Sequence, residues 1–400
     1  QGGFSVLGVD TDADRVNKIR RSVPYILDVD IKQVNKVLRN GRFCPTGDFS
    51  GLGRCDVIII CVPTPLKRRQ QPNISYIVGA VRRISRYLRP GQLIVLESTT
   101  YPGTTEEVIL PLLEKSGLAC GRDFYLAFSP ERIDPGNAKY AFRNIPKVVG
   151  GITPEATELV KRLYEKVIVK VIPVSSARVA ETVKLLENTF RLINIGLVNE
   201  MAMMSKKMGI DIWEVIQAAA SKPFGFMPFY PGPGVGGHCI PKDPLYLYWK
   251  ARHYGFRPKF IRLASQINSA MPAYVVGRAR EILSHRGVGF CRARILVLGA
   301  TYKKDVKDLR KSPAIEIISL LSGQVKQVAY SDPLIPYLKI GRLNMRSQKI
   351  GPKSIPRFDC LILATDHSSF DYGLIGKQAK AILDTRNIYR CSKAKNIFRL

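Results

Sequence analysis

Residues 55–63 read CDVIIICVP, an apolar run rich in β-branched residues and closed by a proline. Runs of this length and composition are typical of strands buried on both faces of a parallel sheet. Segments 4–10 (FSVLGVD) and 92–97 (QLIVLE) have the same character. Between them, residues 75–88 have the apolar spacing of a helix that stops at Arg89-Pro90-Gly91. Strands that alternate with helices predict a doubly wound parallel sheet.

The middle of the chain has a different pattern. Residues 175–209 contain no proline and predict one long helix or two abutting helices, followed by a shorter helix at 211–220. A loop dense in glycine and proline follows at 223–244, and 265–286 is again helical. Further strands are predicted at 124–128, 147–149, 294–299, 325–330, 360–364 and 381–384. We therefore expect two Rossmann-like doubly wound domains, 1–174 and 288–400, joined by a central long-helix segment at 175–287.

A glycine motif of the dinucleotide-binding type, G-x-G-x-x-G, occurs at 232–237, but its context is wrong. Such a motif needs a strand before it and a helix after it, and here Phe229-Tyr230-Pro231 precedes and His238-Cys239 follows. Asp10 ends a short strand, where a Rossmann fold places the acid that binds an adenosine ribose. Only nine residues precede it. The first strand and the glycine-rich turn of the N-terminal domain are therefore expected to be missing.

Composition excludes several classes of protein. The 400 residues are 46% apolar and 24% charged, as in a packed globular chain, and no apolar run approaches the length of a membrane helix. The net charge of +30 would attract polyanions, but the basic residues are spread along the chain, which favours a basic surface over specific nucleic-acid binding. Eight cysteines without a CxxC pair argue against a disulfide framework or a zinc site and favour a reducing, cytoplasmic setting.

Cys239 is the strongest candidate for chemistry. A lone cysteine is usually an inert core residue, but Cys239 lies between Gly236-Gly237 and the charged pair Lys242-Asp243. A neighbouring base lowers the pKa of a thiol and favours the nucleophilic thiolate. His238 next to it could suggest a metal pair, but adjacent side chains of an extended loop point apart, and we expect no metal.

One face of the predicted long helix carries Glu181, Lys184, Asn188 and Arg191 at spacings of three, four and three. Taken alone, this stripe is more simply interpreted as a solvated face than as the lining of a polar site. Lys184 and Asn188 are nevertheless a suitable pair of donors for an oxygen that develops negative charge.

Five ordered segments resemble the nucleotide-sugar 6-dehydrogenases, the enzymes that oxidise UDP-glucose, UDP-N-acetylglucosamine or UDP-N-acetylmannosamine. They are 97–104 (ESTTYPGT), 128–136 (FSPERIDPG), 181–200 (ETVKLLENTFRLINIGLVNE), 229–244 (FYPGPGVGGHCIPKDP) and 299–313 (GATYKKDVKDLRKSP). The resemblance implies an NAD-binding domain, a central helical dimerisation segment and a UDP-binding domain, and hence a homodimer that uses NAD and a UDP-sugar.

The resemblance also implies a reaction, the four-electron oxidation of the sugar C6 alcohol to a carboxylate with two NAD. Cys239 resembles the nucleophile that captures the aldehyde as a thiohemiacetal, which a second oxidation converts into a thioester for water to hydrolyse. Lys184 and Asn188 would stabilise charge on oxygen, and Asp243 resembles the aspartate that handles protons with Lys184.

Further site residues follow from the same resemblance. Thr99 and Glu131 resemble the pair that positions the hydrolytic water, and both are also expected at the cofactor. The other expected cofactor-binding residues are Asp10, Arg15, Pro63, Thr64 and Arg310. The expected substrate-binding residues are Lys184, Asn188, Phe229, Tyr230, Gly236, Lys303 and Arg386.

His238 bears on the choice of sugar. UDP-glucose enzymes typically have serine before the nucleophile, in GGSC, whereas this chain has GGHC. The GGHC motif and its neighbouring residues resemble the enzymes that act on UDP-N-acetylhexosamines. This resemblance favours UDP-N-acetylglucosamine, with UDP-N-acetylmannosamine and UDP-glucose as alternatives. Two other classes stay open: an inactive basic scaffold related to these enzymes, and non-specific nucleic-acid binding through charge alone.

Overall fold

A computed structural model of the chain describes residues 2–23, 30–67, 71–133, 140 and 142–400. The chain divides into two compact units. The first consists of Gln1–Glu187 and Leu245–Phe256, and the second of Asn188–Pro244 and Arg257–Leu400. Within the described ranges, no helix is both long and apolar enough to cross a membrane.

The first unit is an α/β structure. Its strands are β1 (Val6–Val9), β2 (Phe43–Thr46), β3 (Val57–Ile60), β4 (Leu93–Leu96), β5 (Tyr125–Phe128), β6 (Lys147–Gly151) and β7 (Val171–Pro173). Its helices are α1 (Ala13–Arg20), α2 (Ile31–Arg39), α3 (Ser75–Ile84), α4 (Leu110–Leu113) and α5 (Pro154–Glu165), with a π-helical turn at Thr105–Ile109 ahead of α4. The strands predicted around 4–10, 55–63, 92–97, 124–128 and 147–149 all form.

The central sheet of the first unit has the strand order β3-β4-β5-β6-β7, and β1 pairs with β2 in a separate parallel pair. All neighbours in the central sheet run parallel except β5 and β6, which are antiparallel. Successive residues of β4 point to opposite faces, so Leu93 and Val95 enter one apolar cluster and Ile94 and Leu96 another. Burial on both faces explains why this strand is continuously apolar.

Two helices run through the boundaries of the units. The helix α6 (Ala177–Lys207) is the predicted long helix, formed as one piece, and it is followed by α7 (Ile212–Ala219). The helix α8 (Asp243–His253) begins inside the segment predicted as loop, with Pro244 in its first turn, where proline costs no hydrogen bond. The helix α9 (Lys259–His285) starts six residues before the predicted position.

The second unit contains another α/β sheet. Its strands are β8 (Arg294–Leu298), β9 (Gln327–Ser331), β10 (Tyr337–Ile340), β11 (Leu343–Arg346), β12 (Cys360–Leu363), β13 (Ile382–Asp384) and β14 (Ile397–Arg399), with the helices α10 (Pro313–Leu321) and α11 (Tyr372–Gln378). The parallel order is β14-β13-β12-β8-β9, and β10 and β11 form a separate antiparallel hairpin. In β8, Ile295 and Val297 face one core and Leu296 and Leu298 the other. The predicted fold class, two doubly wound domains with a long central helix, is confirmed.

Candidate active site

The glycine-rich loop at 232–237 packs against the segment that connects β8 to α10. A Cβ atom on Gly236 would lie 2.4 Å from Tyr302 Cβ, and Gly237 has a φ of +83° and donates its N–H to the Arg310 carbonyl at 2.8 Å. Both positions therefore require glycine. No strand immediately precedes this loop, which agrees with its rejection as a dinucleotide-binding turn.

Cys239 follows this loop and is exposed. Its carbonyl oxygen accepts the N–H of Lys242 at 3.1 Å and the N–H of Asp243 at 2.8 Å. The second contact has the i to i+4 spacing of an α-helix, so Cys239 lies one turn ahead of the first residue of α8. The positive end of the α8 dipole therefore lies near Cys239, where it favours an anionic group.

His238 makes a contact that the sequence pattern did not indicate. Lys242 is buried, and its Nζ lies 3.0 Å from His238 Nε2. Burial, assisted by the charge of Lys242, lowers the pKa of His238 to about 4. The imidazole beside Cys239 is therefore neutral at physiological pH.

Asn188 and Asp243, two predicted catalytic residues 55 positions apart, are brought together. The Asn188 amide donates to Asp243 Oδ2 at 2.7 Å, and both side chains are buried in the second unit. A buried carboxylate that receives a directed amide hydrogen bond has a fixed orientation, as a proton-transferring group requires.

In the first unit, Lys184 lies on α6, one helical turn before Asn188. Its Nζ donates to the main-chain carbonyl of Glu131 at 2.6 Å. Thr99 is half-buried and follows the carboxyl end of β4. The loop that carries Glu131 follows the carboxyl end of β5, the neighbour of β4. Of the segment 128–136, which carries part of the family resemblance, the structure describes residues 128–133. Residues 134–136 lie outside the described residues.

Glu181 was noted on the helix stripe but was not predicted as a site residue. Its carboxylate accepts the N–H of Gly103 at 2.5 Å, the N–H of Thr105 at 2.9 Å and the Thr105 hydroxyl at 2.7 Å. These donors belong to the segment that follows Thr99, so Glu181 ties that segment to α6. Its position in a polar stripe was the only sequence feature that could have indicated this role.

Glu181 should make stability depend on pH. Burial raises the pKa of its carboxyl from 4.5 to about 7, although the hydrogen bonds from Thr105 and Gly103 oppose this. Between these pH values the folded protein holds a proton that the unfolded chain releases, so the free energy of unfolding falls as pH rises. Glu181→Gln mimics the protonated form. Between pH 4.5 and 7, the free energy of unfolding should therefore fall by about 3 kcal/mol less in Glu181→Gln than in the wild-type protein.

The measurement is urea unfolding of the wild-type protein and Glu181→Gln at a series of pH values from 4.5 to 7.5. Glu165→Gln, the same change at an exposed position on α5, is the control and should follow the wild-type curve. Parallel curves for wild type and Glu181→Gln would contradict the expectation.

The predicted cofactor residues of the first unit follow the carboxyl ends of parallel strands. Asp10 follows β1, and its Oδ2 is 2.5 Å from Arg15 Nη1. Pro63 and Thr64 follow β3, and Ser98 Oγ joins this turn to the end of β4 by donating to the Val62 carbonyl at 2.9 Å. Ligands of open α/β sheets bind at this edge. A partly exposed carboxylate at the end of β1 fits the hydroxyls of an adenosine ribose, so this donor set fits NAD.

Apart from Lys184, the predicted substrate residues lie in the second unit. The Phe229 ring meets the Phe190 ring edge-on at 5.6 Å, and the Tyr230 ring stacks on Trp213 at 6.0 Å. Gly236 contacts the segment containing Lys303, as described above. Arg386 follows β13, donates from Nε to the Ala364 carbonyl at 2.8 Å, and lies so close to Gly232 that a Cβ there would be 3.1 Å from Nη1.

Arg310 and two buried asparagines complete this region. Arg310 is held by Asp308, with Nη2 at 2.6 Å from Oδ2. Asn199 and Asn268, which the sequence did not single out, join α6, α9 and the loop. Asn199 accepts the Gly232 N–H at 2.9 Å and donates to Asn268 at 2.8 Å.

Among the described residues, no group of three or more His, Cys, Asp or Glu side chains could hold a metal ion.

Comparison with known proteins is consistent with this arrangement. Sequence profiles of the UDP-glucose/GDP-mannose dehydrogenase family match at residues 1–168 (NAD binding domain), 178–270 (central domain) and 296–391 (UDP binding domain). A UDP-N-acetyl-D-glucosamine 6-dehydrogenase of Pseudomonas aeruginosa is 38% identical over 92% of this chain and 86% of its own length.

A UDP-N-acetyl-D-mannosamine dehydrogenase of Pyrococcus horikoshii is 35% identical over 99% of this chain and 93% of its own length. The solved structure of the UDP-D-ManNAc dehydrogenase from that organism superposes with a TM-score of 0.89, over 100% of this chain and 93% of the other. The chain belongs to the UDP-glucose/GDP-mannose dehydrogenase family and is an NAD-dependent UDP-sugar dehydrogenase.

Proposed function

We propose that this protein oxidises the C6 alcohol of UDP-N-acetylglucosamine to the carboxylate, in two steps that together remove four electrons. The observation that carries the proposal is Cys239, exposed one helical turn ahead of Asp243, the first residue of α8, whose buried carboxylate is held by the Asn188 amide of α6. The choice of sugar rests on His238 and on the 38% identity to an enzyme that acts on UDP-N-acetyl-D-glucosamine.

Cys239 acts as the nucleophile. Its thiolate adds to the C6 aldehyde formed in the first oxidation and holds it as a thiohemiacetal, so the aldehyde does not escape. Oxidation of that adduct gives a thioester. Water then adds to the thioester carbonyl, the carbon–sulfur bond breaks, and Cys239 regains its proton as the carboxylate is released.

Lys184, Asn188 and Asp243 manage charge and protons. Asp243, fixed by the Asn188 amide, accepts and returns protons together with Lys184. The second N–H of the Asn188 amide and the Lys184 ammonium stabilise negative charge on the reacting oxygen. Thr99 and Glu131 orient the water that hydrolyses the thioester.

We assign NAD to Asp10, Arg15, Pro63, Thr64, Thr99 and Glu131 of the first unit, with Arg310 as a further contact. When bound, NAD supplies the hydride acceptor for both oxidations. Asp10 suits the ribose hydroxyls, and the turn at Pro63 and Thr64 follows the carboxyl end of a parallel strand.

The UDP-sugar is assigned to Phe229, Tyr230, Gly236, Lys303 and Arg386, together with Lys184 and Asn188. A guanidinium such as Arg386 suits a pyrophosphate because its donors match two phosphate oxygens at once. Gly236 lets the loop backbone approach its neighbours closely, and the aromatic rings offer faces to the sugar and the base.

We assign NAD binding to 1–174, dimerisation and the nucleophile loop to 175–287, and UDP binding to 288–400. The matched family ranges support this division. A homodimer is supported by a stripe of exposed apolar side chains on α6, at Leu186, Phe190, Leu197 and Met204. The cysteine content, without CxxC pairs, supports a reducing, cytoplasmic location.

The test is NADH formation, measured by absorbance with limiting UDP-N-acetylglucosamine, UDP-N-acetylmannosamine or UDP-glucose. Two NADH per UDP-N-acetylglucosamine, with lower kcat/KM for the other two sugars, is the expected result. One NADH per sugar would contradict the thioester route. The 35% identity and TM-score of 0.89 to a UDP-N-acetylmannosamine enzyme make that sugar the second candidate. Absence of NADH with every sugar would favour the inactive scaffold.

A further inference from the structure

Lys147, the first residue of β6, has a buried ammonium group surrounded by acidic and aromatic side chains. Its side chain is 5% exposed, and its Nζ lies 2.9 Å from Glu97 Oε1 and 3.6 Å from Glu131 Oε2. The same Nζ lies 4.7 Å from the centre of the Tyr164 ring. A buried ammonium ion persists only where carboxylates compensate for its lost hydration.

Glu97, at the end of β4, is the anchor of this cluster. Besides Lys147 it accepts hydrogen bonds from the Tyr164 hydroxyl and from Cys61 Sγ, the latter at 3.6 Å. Desolvation raises the pKa of Cys61 to about 12 and that of Tyr164 well above its usual value. Both groups are therefore protonated donors at neutral pH, and they hold Glu97 in one orientation.

Glu131 is the second carboxylate that the ammonium reaches. Its Oε1 accepts two main-chain N–H groups, from Arg132 and Ile133, each at 2.7 Å. Its Oε2 is the oxygen that faces Lys147, and the Glu131 main-chain carbonyl is bound by Lys184. Glu131 is thus held by three different partners. Lys184 binds its main-chain carbonyl, two main-chain N–H groups bind Oε1, and Lys147 faces Oε2.

We infer that Lys147 is a positioning residue for hydrolysis of the thioester, because it holds the Glu131 carboxylate in the orientation that receives a proton from the attacking water. The inference rests on the proposed function. In that step the water oxygen bonds to the thioester carbon, one water proton passes to Glu131, and the carbon–sulfur bond breaks. The proton is then returned to the departing thiolate of Cys239, and the second water proton is released as the product acid ionises to the carboxylate, so atoms and charges balance.

The first variant is Lys147→Met, which removes the charge and keeps a chain of similar length. We expect kcat to fall about 10- to 100-fold, by analogy with the loss of outer partners that orient metal ligands. The KM values for UDP-sugar and NAD should change little. Stopped-flow absorbance should show a rapid first release of NADH followed by a slow steady state, with acylated Cys239 detected by mass spectrometry.

Lys166→Met is the matched control, because it makes the same change at an exposed residue at the end of α5. Lys147→Arg, which keeps the charge, should recover part of the steady-state rate. A merely structural role of Lys147 would slow both oxidations and would leave no acylated enzyme.

Lys147→Met leaves Glu97 without its cation and can impair folding for that reason alone. The double variant Glu97→Gln/Lys147→Met removes both charges and keeps the shape of the cluster. It should fold, yet still accumulate acylated Cys239. Hydrolysis at the wild-type rate in this double variant would overturn the inference. Fewer than two NADH per sugar from the wild-type enzyme would instead overturn the proposed function, and the inference with it.

Discussion

Cys239→Ala is expected to lower the rate of carboxylate formation by about ten-thousandfold or more, because in the proposed mechanism the thiohemiacetal and the thioester both form on the Cys239 sulfur. Cys239 is exposed, so removal of its thiol should leave the thermal unfolding midpoint nearly unchanged. The measurement is the UDP-uronic acid formed per minute, quantified by mass spectrometry, with NADH followed in parallel.

Cys391→Ala provides the matched control, since Cys391 is also exposed and lies outside the proposed site. It should retain the wild-type rate. If Cys239→Ala also formed carboxylate at the wild-type rate, the nucleophile would have to be another residue, and the assignment of the glycine-rich loop to catalysis would be lost.

Asp243→Asn should have the second largest effect. The substitution keeps the size of the side chain but removes its ability to accept and return a proton, which typically contributes 10²- to 10⁴-fold to the rate. We therefore expect kcat to fall about 100- to 10,000-fold with a KM for UDP-sugar within a few-fold of the wild type. Steady-state kinetics and circular dichroism on the same preparation separate lost catalysis from lost folding.

Asp56→Asn makes the same chemical change where the carboxylate is 92% exposed and pairs with Arg89 at the surface. Such a pair contributes little, so activity should be unchanged. Asp243→Glu keeps the carboxylate but displaces it from the Asn188 amide, and an intermediate rate is expected. A kcat for Asp243→Asn within threefold of the wild-type value would remove Asp243 from the proposed mechanism.

The two proton-handling carboxylates of the proposal, Asp243 and Glu131, are held in different ways. Asp243 is buried and receives an amide hydrogen bond from α6. Glu131 is partly exposed and is oriented by main-chain N–H groups and by Lys147. A group that works on incoming water needs access to solvent, whereas a group that exchanges protons with bound substrate does not. The two environments thus match the two roles.

Much of the fold could be predicted from local patterns. Continuous apolar runs such as 92–97 identify strands buried on both faces, and their alternation with helices identifies a doubly wound sheet. The antiparallel placement of β6 and the β10–β11 hairpin were not predicted. The β6 segment carries no distinct period and the two hairpin strands are only four residues long, and pairing direction depends on how the chain returns to the sheet. The start of α8 was missed because Pro241 and Pro244 look like loop residues.

The sequence by itself determined the family of this protein and its class as an NAD-dependent UDP-sugar dehydrogenase. The features that showed this are short and contiguous in the sequence. They are Cys239 with its flanking glycines and charged neighbours, and the ordered segments around it. The α6 stripe was ambiguous at that level, because a helical period shows that Lys184 and Asn188 share a face but not what that face meets.

Only the tertiary structure decided which side chains contact one another. Asn188 meets Asp243 across 55 residues, Glu181 binds the segment after Thr99, and Lys147 bridges Glu97 and Glu131. None of these contacts has a sequence spacing that predicts it, since each joins elements that meet only when the sheet and helices pack. Burial then changes the chemistry of the joined groups, because charge and unpaired polar atoms are costly away from water.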